Sequence, residues 1–258
     1  MNTKKLFIIL CLLLILGVSC SQQQARRSDY PVSAVLPGNV TLRDEFWKPR
    51  IQLVHDVTIP YAFEKCEQNG RMENFLIAGG LKEGETCGKM PFDDTDLYKI
   101  IEGASCSPAN QADPQLQAYV DSVIAIIAAG QEADGYLTTW LTIDPNHPPA
   151  PWVEPPGERW KSLNTSHELY NAGHLFEAAA AHYRATGKRS LLNIALKNAD
   201  LLVDTFGPDH LQIPPGHQIV ETGLIQLYRI TENPDYLDLA KFFLDVRGDS
   251  TTHELYGA

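Results

Sequence analysis

The residues of this sequence best suited to chemistry lie on one predicted helix, in the stretch SHELYNAGHLFEAAAAHY from Ser166 to Tyr183. At about 100° per residue, His167, Tyr170 and His174 fall on one helix face together with small alanines, and apolar side chains fall on the other. Imidazoles and a phenol supply hydrogen-bond donors and acceptors, while alanines leave space beside them. The pattern favours a polar cavity that binds a hydroxyl-rich ligand. The alternative is that these side chains hydrogen-bond to a neighbouring helix inside the core.

A further histidine, His217, follows the turn Pro214-Pro215-Gly216 and is predicted to open another helix. A loop-to-helix junction can present a side chain to a central pocket, and Glu221, one turn further on, is predicted to hold the second ring nitrogen of His217. The alternative is a first-turn histidine without a function. No third ligand stands at a recognisable spacing, which disfavours a metal site at this pair.

A long proline-containing segment, 134–166, separates two groups of predicted helices and holds Trp140, Trp152 and Trp160. Proline disfavours helix there, and aromatic rings argue against disorder. Aromatic faces pack on the C–H faces of sugar rings, so Trp140 and Trp160 are predicted substrate contacts. The alternative is that the tryptophans only hold the segment against the fold.

The stretch PFDDTDLYKIIEG brings Asp93, Asp94 and Asp96 to a helix start, where carboxylates are expected to cap free N–H groups. Along the same helix, Asp96, Lys99 and Glu102 are expected to form an ion pair. Glycoside hydrolysis usually uses two carboxyl groups, and no spacing in the sequence singles out such a pair.

The periodicity of apolar residues predicts an all-α fold without convincing strands. A shift of 45 residues superposes Tyr183 on Tyr228, Leu192 on Leu237 and other pairs, which indicates a repeated helical hairpin. An open α-solenoid and a closed α/α toroid both fit the repeat. The array ends without a capping unit, so the chain is expected to be the front part of a longer protein. The predicted helices span roughly 50–68, 94–105, 114–131, 167–186, 190–205, 217–231 and 234–246.

The formal net charge of -11 disfavours nucleic acids and anionic surfaces as partners. Beyond the first twenty residues the cysteines are Cys66, Cys87 and Cys106, an odd number that allows one disulfide of undetermined pairing. No Cys-x-x-Cys or Cys/His cluster has metal-ligand spacing, so no metal site is predicted.

The first twenty residues have the layout of an export signal: Lys4 and Lys5, an apolar run, and small residues before Cys20. This resembles a bacterial lipobox, in which Cys20 becomes the lipidated first residue, although an ordinary cleaved signal is the alternative. The predicted organisation is a signal peptide over 1–20, a tether over 21–36 and a helical catalytic region over 37–258. We expect lipid anchoring in the periplasm or at the outer membrane of a Gram-negative bacterium, with no other membrane contact.

Four motifs resemble the N-terminal part of the catalytic domain of glycoside hydrolase family 127, the β-L-arabinofuranosidase type. They are FDDTDLYKIIEGAS, QEADGYLTTW, HELYNAGHLFEAAAAHYRATG and PPGHQIVETGLIQLYRITENPDYLDLAKFFLDVRG, and DEFWKPR and RMENF fit the same family's opening segment. The resemblance implies an (α/α)6 toroid, present here in part, and retaining hydrolysis of terminal β-L-arabinofuranosides. It also implies that His167 and His217 bind sugar, and it places His174 and Tyr170 in the same motif.

In that family the resemblance implies a zinc-bound cysteine nucleophile and a glutamate acid/base, which are expected beyond Ala258. Zinc is therefore expected in the longer enzyme but not on residues of this chain, which is expected to be inactive alone. The leading hypothesis is a glycosidase that releases arabinofuranosyl or related sugars from plant glycans. The alternatives are a carbohydrate-binding lipoprotein without catalysis and a solenoid for protein partners, and the solenoid would place His167 and His217 on different surfaces.

Overall fold

The computed structural model describes residues 39–107, 113–153 and 157–249, together with Val32, Val35 and Thr251. The predicted signal peptide, with Cys20, and the tether apart from Val32 and Val35 lie outside these residues.

Helices dominate the described part of the chain. They are α1 (Trp47–Leu53), α2 (Ile59–Gln68), α3 (Arg71–Ala78), α4 (Asp94–Cys106), α5 (Pro114–Ala129), α6 (Thr139–Ile143), α7 (Leu163–Ser166), α8 (Glu168–Thr186), α9 (Ser190–Thr205), α10 (Val220–Thr231) and α11 (Pro234–Arg247). A π-helical segment, Val54–Thr58, joins α1 to α2. None of the helices in the described ranges is both long enough and apolar enough to cross a membrane.

The all-α prediction is confirmed, since the described residues contain no β-strand and only one isolated bridge, between Phe206 and Leu211. Each predicted helix is present, but α3, α6 and α7 were not predicted. The expectation of a segment without helix over 134–166 is wrong, because α6 precedes its prolines and α7 follows them. The helix predicted from residue 217 begins at Val220, so His217 lies in the preceding loop.

The helix boundaries follow from local chemistry. The Asp113 carboxylate accepts hydrogen bonds from the backbone N–H groups of Gln115 and Leu116, and Pro114 stands at the first position of α5. Asn233 caps α11 in the same way, again with proline next. At the end of α8, Gly187 adopts φ +73°, a left-handed conformation that glycine reaches without steric cost.

The repeat seen in the sequence is a repeat of structure. Equivalent hydrogen bonds close the turns of the hairpins α8–α9 and α10–α11. In the first hairpin, the Thr186 hydroxyl donates to the His182 carbonyl oxygen and accepts from the Lys188 N–H. The corresponding Thr231 hydroxyl donates to Leu227 O and accepts from the Asn233 N–H. These threonines therefore close both turns, and the second hairpin packs on the first as the 45-residue shift predicts.

Helix α8 is central to the described fold, since α4, α9 and α10 all pack against it. Its apolar face contributes Leu169, Phe176 and Ala179 to the main core, where all three are almost fully buried. A smaller apolar cluster lies in the 134–166 segment and contains Tyr136, Trp140, Leu141, Ala150 and Val153.

A glycine sets how closely α10 approaches α8. A Cβ atom built on Gly173 would lie 2.5 Å from the Ile219 side chain and 2.6 Å from the Val220 nitrogen. Any larger residue would separate the helices, so Gly173 lets the loop that carries His217 lie against α8.

Candidate functional site

His167 lies between α7 and α8 and has φ +57°, in the left-handed region that is costly for a residue with a side chain. The adjoining Glu168 is buried, and its carboxylate accepts hydrogen bonds from the Ser166 hydroxyl at 2.6 Å, the Tyr136 hydroxyl at 2.7 Å and the Trp160 backbone N–H at 3.0 Å. Burial raises the pKa of Glu168, and these donors oppose that rise. Glu168 therefore fixes the chain beside His167 in a conformation that the residue alone would avoid.

The structure brings His167 and His217 to one place. Their ring centroids are 6.5 Å apart, although one residue immediately precedes α8 and the other lies in the loop before α10. Tyr170 stands beside both, with its ring centroid 5.6 Å from that of His167 and 4.6 Å from that of His217. The solenoid hypothesis, which separates the two histidines, is wrong.

Hydrogen bonds set the tautomers of the two histidines. His167 Nδ1 lies 2.8 Å from the Thr165 carbonyl oxygen, and His217 Nδ1 lies 2.8 Å from that of Gln218. Because a carbonyl oxygen only accepts, Nδ1 carries the hydrogen in each ring, and a neutral ring keeps a lone pair on Nε2. Burial lowers the pKa of His167, so this ring is held neutral and accepts a hydrogen bond from a hydroxyl group.

Tyr170 connects this pair of histidines to α4. Its hydroxyl accepts a hydrogen bond from Lys99 Nζ at 2.9 Å, and Lys99 Nζ also donates to the Thr95 hydroxyl at 3.1 Å. The ring centroid of His174 lies 4.6 Å from that of Tyr170, one turn further along α8. The predicted stripe of His167, Tyr170 and His174 is thus a continuous row of polar rings.

Two of the predicted sugar-binding residues lie elsewhere. Trp140 is 3% exposed and packs in the smaller apolar cluster. The half-buried Trp160 packs against both apolar clusters and stacks edge-on with Tyr136 and Phe206. This is the holding role that the sequence left open for the tryptophans, and their substrate contact stays a prediction.

Aromatic residues that the sequence did not assign to the site lie beside His167. The ring centroid of Phe92 is 4.8 Å from that of His167, and that of Trp152 is 5.8 Å away. Trp152 is 43% exposed, so one part of its indole is free to meet a ligand. Its position among prolines resembles that of the other tryptophans, so only the fold distinguishes it.

The acidic residues at the start of α4 are structural, and their predicted capping role is wrong. Asp93 pairs with Arg71 at 2.8 Å and accepts from the backbone N–H groups of Lys89 and Met90. Asp94 is buried and accepts from the backbone N–H and the hydroxyl of Thr139, and burial raises its pKa to about 6.

Two predicted charge contacts are also wrong. Asp96 pairs with Arg71 rather than with Lys99, which bonds to Tyr170 instead. Glu221 accepts from the Ile219 N–H and pairs with Arg247, so it does not hold the His217 ring. In both cases a partner distant in sequence replaces the helical neighbour.

The described residues do not fit the cysteine-held zinc that the resemblance implies. The one group of three or more metal-binding side chains in the described ranges is Glu102, His174 and Glu177, which contains no cysteine. Cys66, Cys87 and Cys106 are all free, and burial raises the pKa of the Cys66 thiol to about 11, which disfavours the thiolate that binds zinc.

Comparisons with known proteins agree on one family. The family described as "Beta-L-arabinofuranosidase, GH127 catalytic domain" matches residues 39–255. A non-reducing end β-L-arabinofuranosidase of Bifidobacterium longum subsp. longum is 33% identical over 231 residues, covering 81% of this chain and 34% of the relative.

Two solved structures are similar in both sequence and fold. A GH127 β-arabinofuranosidase is 48% identical with a TM-score of 0.78, covering 85% of this chain and 34% of that structure. A GH127 β-L-arabinofuranosidase from Geobacillus stearothermophilus T6 is 39% identical with a TM-score of 0.72, covering 82% of this chain and 33% of that structure. The chain thus spans about a third of the length of the relatives it matches.

Proposed function

The chain belongs to the GH127 β-L-arabinofuranosidase catalytic-domain family, and from this premise we propose that the protein carrying it hydrolyses terminal β-L-arabinofuranosides. The named relatives are β-L-arabinofuranosidases or a β-arabinofuranosidase, and the described helices form part of the same all-α toroid. Because the chain spans about a third of those relatives, we assign hydrolysis to the protein that carries it and sugar binding to this chain.

The observation that supports sugar binding is the meeting of His167, Tyr170 and His217. His167 immediately precedes α8, Tyr170 lies on α8 and His217 lies in a separate loop, yet their ring centroids are within 6.5 Å of one another. A terminal sugar presents several hydroxyl groups and an apolar ring face. The lone pair on Nε2 of the neutral His167 ring accepts a hydrogen bond from a hydroxyl group, and the exposed indole of Trp152 packs on the ring face.

Lys99 supplies a positive charge beside Tyr170. Its ammonium lies 4.9 Å from the centre of the Tyr170 ring and bonds to the hydroxyl of the same residue. With one lone pair of that hydroxyl occupied, Tyr170 donates its hydrogen to an acceptor in the pocket. The site therefore offers both acceptors and a donor, as a sugar with several hydroxyl groups requires.

Hydrolysis of p-nitrophenyl β-L-arabinofuranoside by the protein that carries this chain tests the proposal. We expect turnover of the β-L-arabinofuranoside and at least a tenfold loss of kcat/KM in the variant His217→Ala, with an unchanged melting temperature because His217 is exposed. The control is His210→Ala, which changes an exposed histidine elsewhere in the same loop.

Sugar binding without turnover would favour the non-catalytic alternative. Equal kcat/KM values for His217→Ala and His210→Ala would overturn the assigned pocket.

We also propose export and lipid anchoring at Cys20, with residence in the periplasm or at the outer membrane. The support is the order of Lys4 and Lys5, an apolar run and a small-residue segment that ends at Cys20. A surface-anchored enzyme of this kind would meet plant glycans outside the cell.

A further inference from the structure

We propose that Glu102, His174 and Glu177 bind one divalent transition-metal ion such as Zn²⁺, at a site without cysteine that adjoins the residues proposed to bind sugar. Glu102 lies on α4, and His174 and Glu177 lie on the neighbouring α8. The candidate ligand atoms, one nitrogen and two carboxylate oxygens, all lie within 4.8 Å of one another.

The helix register supports shared coordination. His174 and Glu177 are three residues apart, so they project from the same face of α8. Glu102 reaches the same point from α4, which packs along that face. Metal sites inside helical bundles are commonly built in this way, with carboxylates and imidazoles at this spacing on facing helices.

The separation of the ligand atoms is close to what an ion requires. A tetrahedral zinc ion with bonds of about 2.1 Å holds its ligand atoms about 3.4 Å apart. His174 Nδ1 and Glu177 Oε2 are already 3.6 Å apart. The candidate ligand atoms that lie furthest apart must approach by on the order of 1 Å, and rotation of a flexible glutamate side chain allows this movement.

An unpartnered atom points to a missing ligand. His174 Nδ1 is buried and has no hydrogen-bond partner, which is costly for a polar atom. Its Glu177 neighbour is beyond hydrogen-bond distance. A metal ion at the centre of the group would accept the lone pair of that nitrogen and remove this cost.

The charges also favour a cation. Two carboxylates, those of Glu102 and Glu177, lie within 4.8 Å of each other and of a His174 ring nitrogen. Lys99, on the same helix as Glu102, bonds to Tyr170 and Thr95 instead. A divalent cation between the two carboxylates would balance their negative charge.

The ligand set selects the type of metal. One imidazole and two carboxylates suit Zn²⁺ and Mn²⁺, whereas Mg²⁺ prefers oxygen ligands and retains its water molecules. The lack of a thiolate disfavours Cu⁺. The expected order of affinity is therefore Zn²⁺ above Mg²⁺ at this site.

Titration of the untagged chain with Zn²⁺, followed by calorimetry, tests the site without reference to hydrolysis. We expect one tightly bound ion, and at least a tenfold loss of affinity in Glu102→Gln and in Glu177→Gln, both of which keep side-chain size. Glu73→Gln is the matched control, since Glu73 pairs with Lys82 on the surface, and should bind as the unchanged chain does.

Co²⁺ spectra distinguish this site from binding by cysteine. We expect d–d absorption without a thiolate charge-transfer band, and no effect of Cys106→Ser. Circular dichroism establishes that each variant is folded. Zn²⁺ affinity that survives the Glu102→Gln/Glu177→Gln double change, or no binding by the folded chain, would overturn the proposal, whether or not the sugar pocket is correct.

Discussion

At the residue scale, Glu168 links the core to the residues proposed to bind sugar. It lies next to His167, and its carboxylate accepts from three donors, all of which come from the 134–166 segment. Tyr136 and Trp160 are in turn packed in apolar clusters. The strained backbone at His167 is therefore held in part by a bond to Tyr136, which is distant in sequence.

The variant Glu168→Gln is expected to lose about 1–3 kcal/mol of unfolding free energy. An amide has one acceptor oxygen, so it cannot serve all three donors, and one buried polar group is left without a partner. Urea unfolding measures the change. Glu158→Gln, at a side chain that is 72% exposed, should lose nothing, and an equal stability of both variants would contradict the role of Glu168.

His182 gives the protein a defined response to acid. It is buried on α8, and burial lowers its pKa, with Lys188 adding to the decrease and Asp121 opposing it. The unfolded state then binds more protons than the folded state between the lowered pKa and the ordinary value near 6.5. The contribution of His182 to stability is thus complete above that value and is lost as the pH falls below it.

We expect the unfolding free energy of the unchanged protein, relative to that of His182→Leu, to rise between pH 5 and pH 7.5. Leucine does not titrate, so the difference isolates the histidine. Urea unfolding at several pH values measures it. A difference that is flat or that falls over this range would show that His182 has no lowered pKa.

At the element scale, the close packing of α8 against α10 places the His217 loop. Gly173 lies on α8 opposite Ile219 and Val220, and Gly223 lies on α10 against Phe176 and the Gly173 carbonyl. Two glycines facing each other let the helices approach to a distance that side chains would prevent. The histidine pair therefore depends on residues that have no side chain.

The variant Gly173→Ala is expected to destabilise the fold by about 1–3 kcal/mol, because the new Cβ would overlap the Val220 nitrogen. It should also weaken sugar binding, because it moves the loop that carries His217. Gly103→Ala is the control: it changes a glycine in a helix that has open space around it, and it should stabilise by about 0.5–1 kcal/mol. Urea unfolding of both variants measures their unfolding free energies. A loss for Gly173→Ala beside a gain for Gly103→Ala would show that the steric contact at Gly173 outweighs the higher helix propensity of alanine.

At the scale of the whole molecule, residues 39–255 match the family's catalytic domain, and the first twenty residues are predicted to be an export signal. The pattern predicts a lipid on Cys20, a position outside the described residues. Anchoring would keep the protein that carries this chain at the membrane.

Replacement of Cys20 by serine is expected to abolish labelling of the protein with radioactive palmitate in a Gram-negative host and to move it from the membrane fraction to the soluble fraction. Cys106→Ser, which changes an exposed cysteine elsewhere in the chain, should leave both unchanged. Labelling that is absent from the unchanged protein would favour an ordinary cleaved signal instead.

The sequence by itself determined the all-α class, the positions of the long helices, the repeated hairpin and the stripe of His167, Tyr170 and His174. These properties follow from helical periodicity and local capping, which act over a few residues. Only the tertiary structure decided that His217 lies beside the stripe and that Trp152 lies near His167 while Trp140 lies in an apolar cluster. It also decided that Asp96 and Glu221 pair with arginines distant in sequence, and that Glu102 lies close to His174. Contacts between helices depend on how closely their backbones approach, and positions such as Gly173 set that distance without leaving a pattern along the chain.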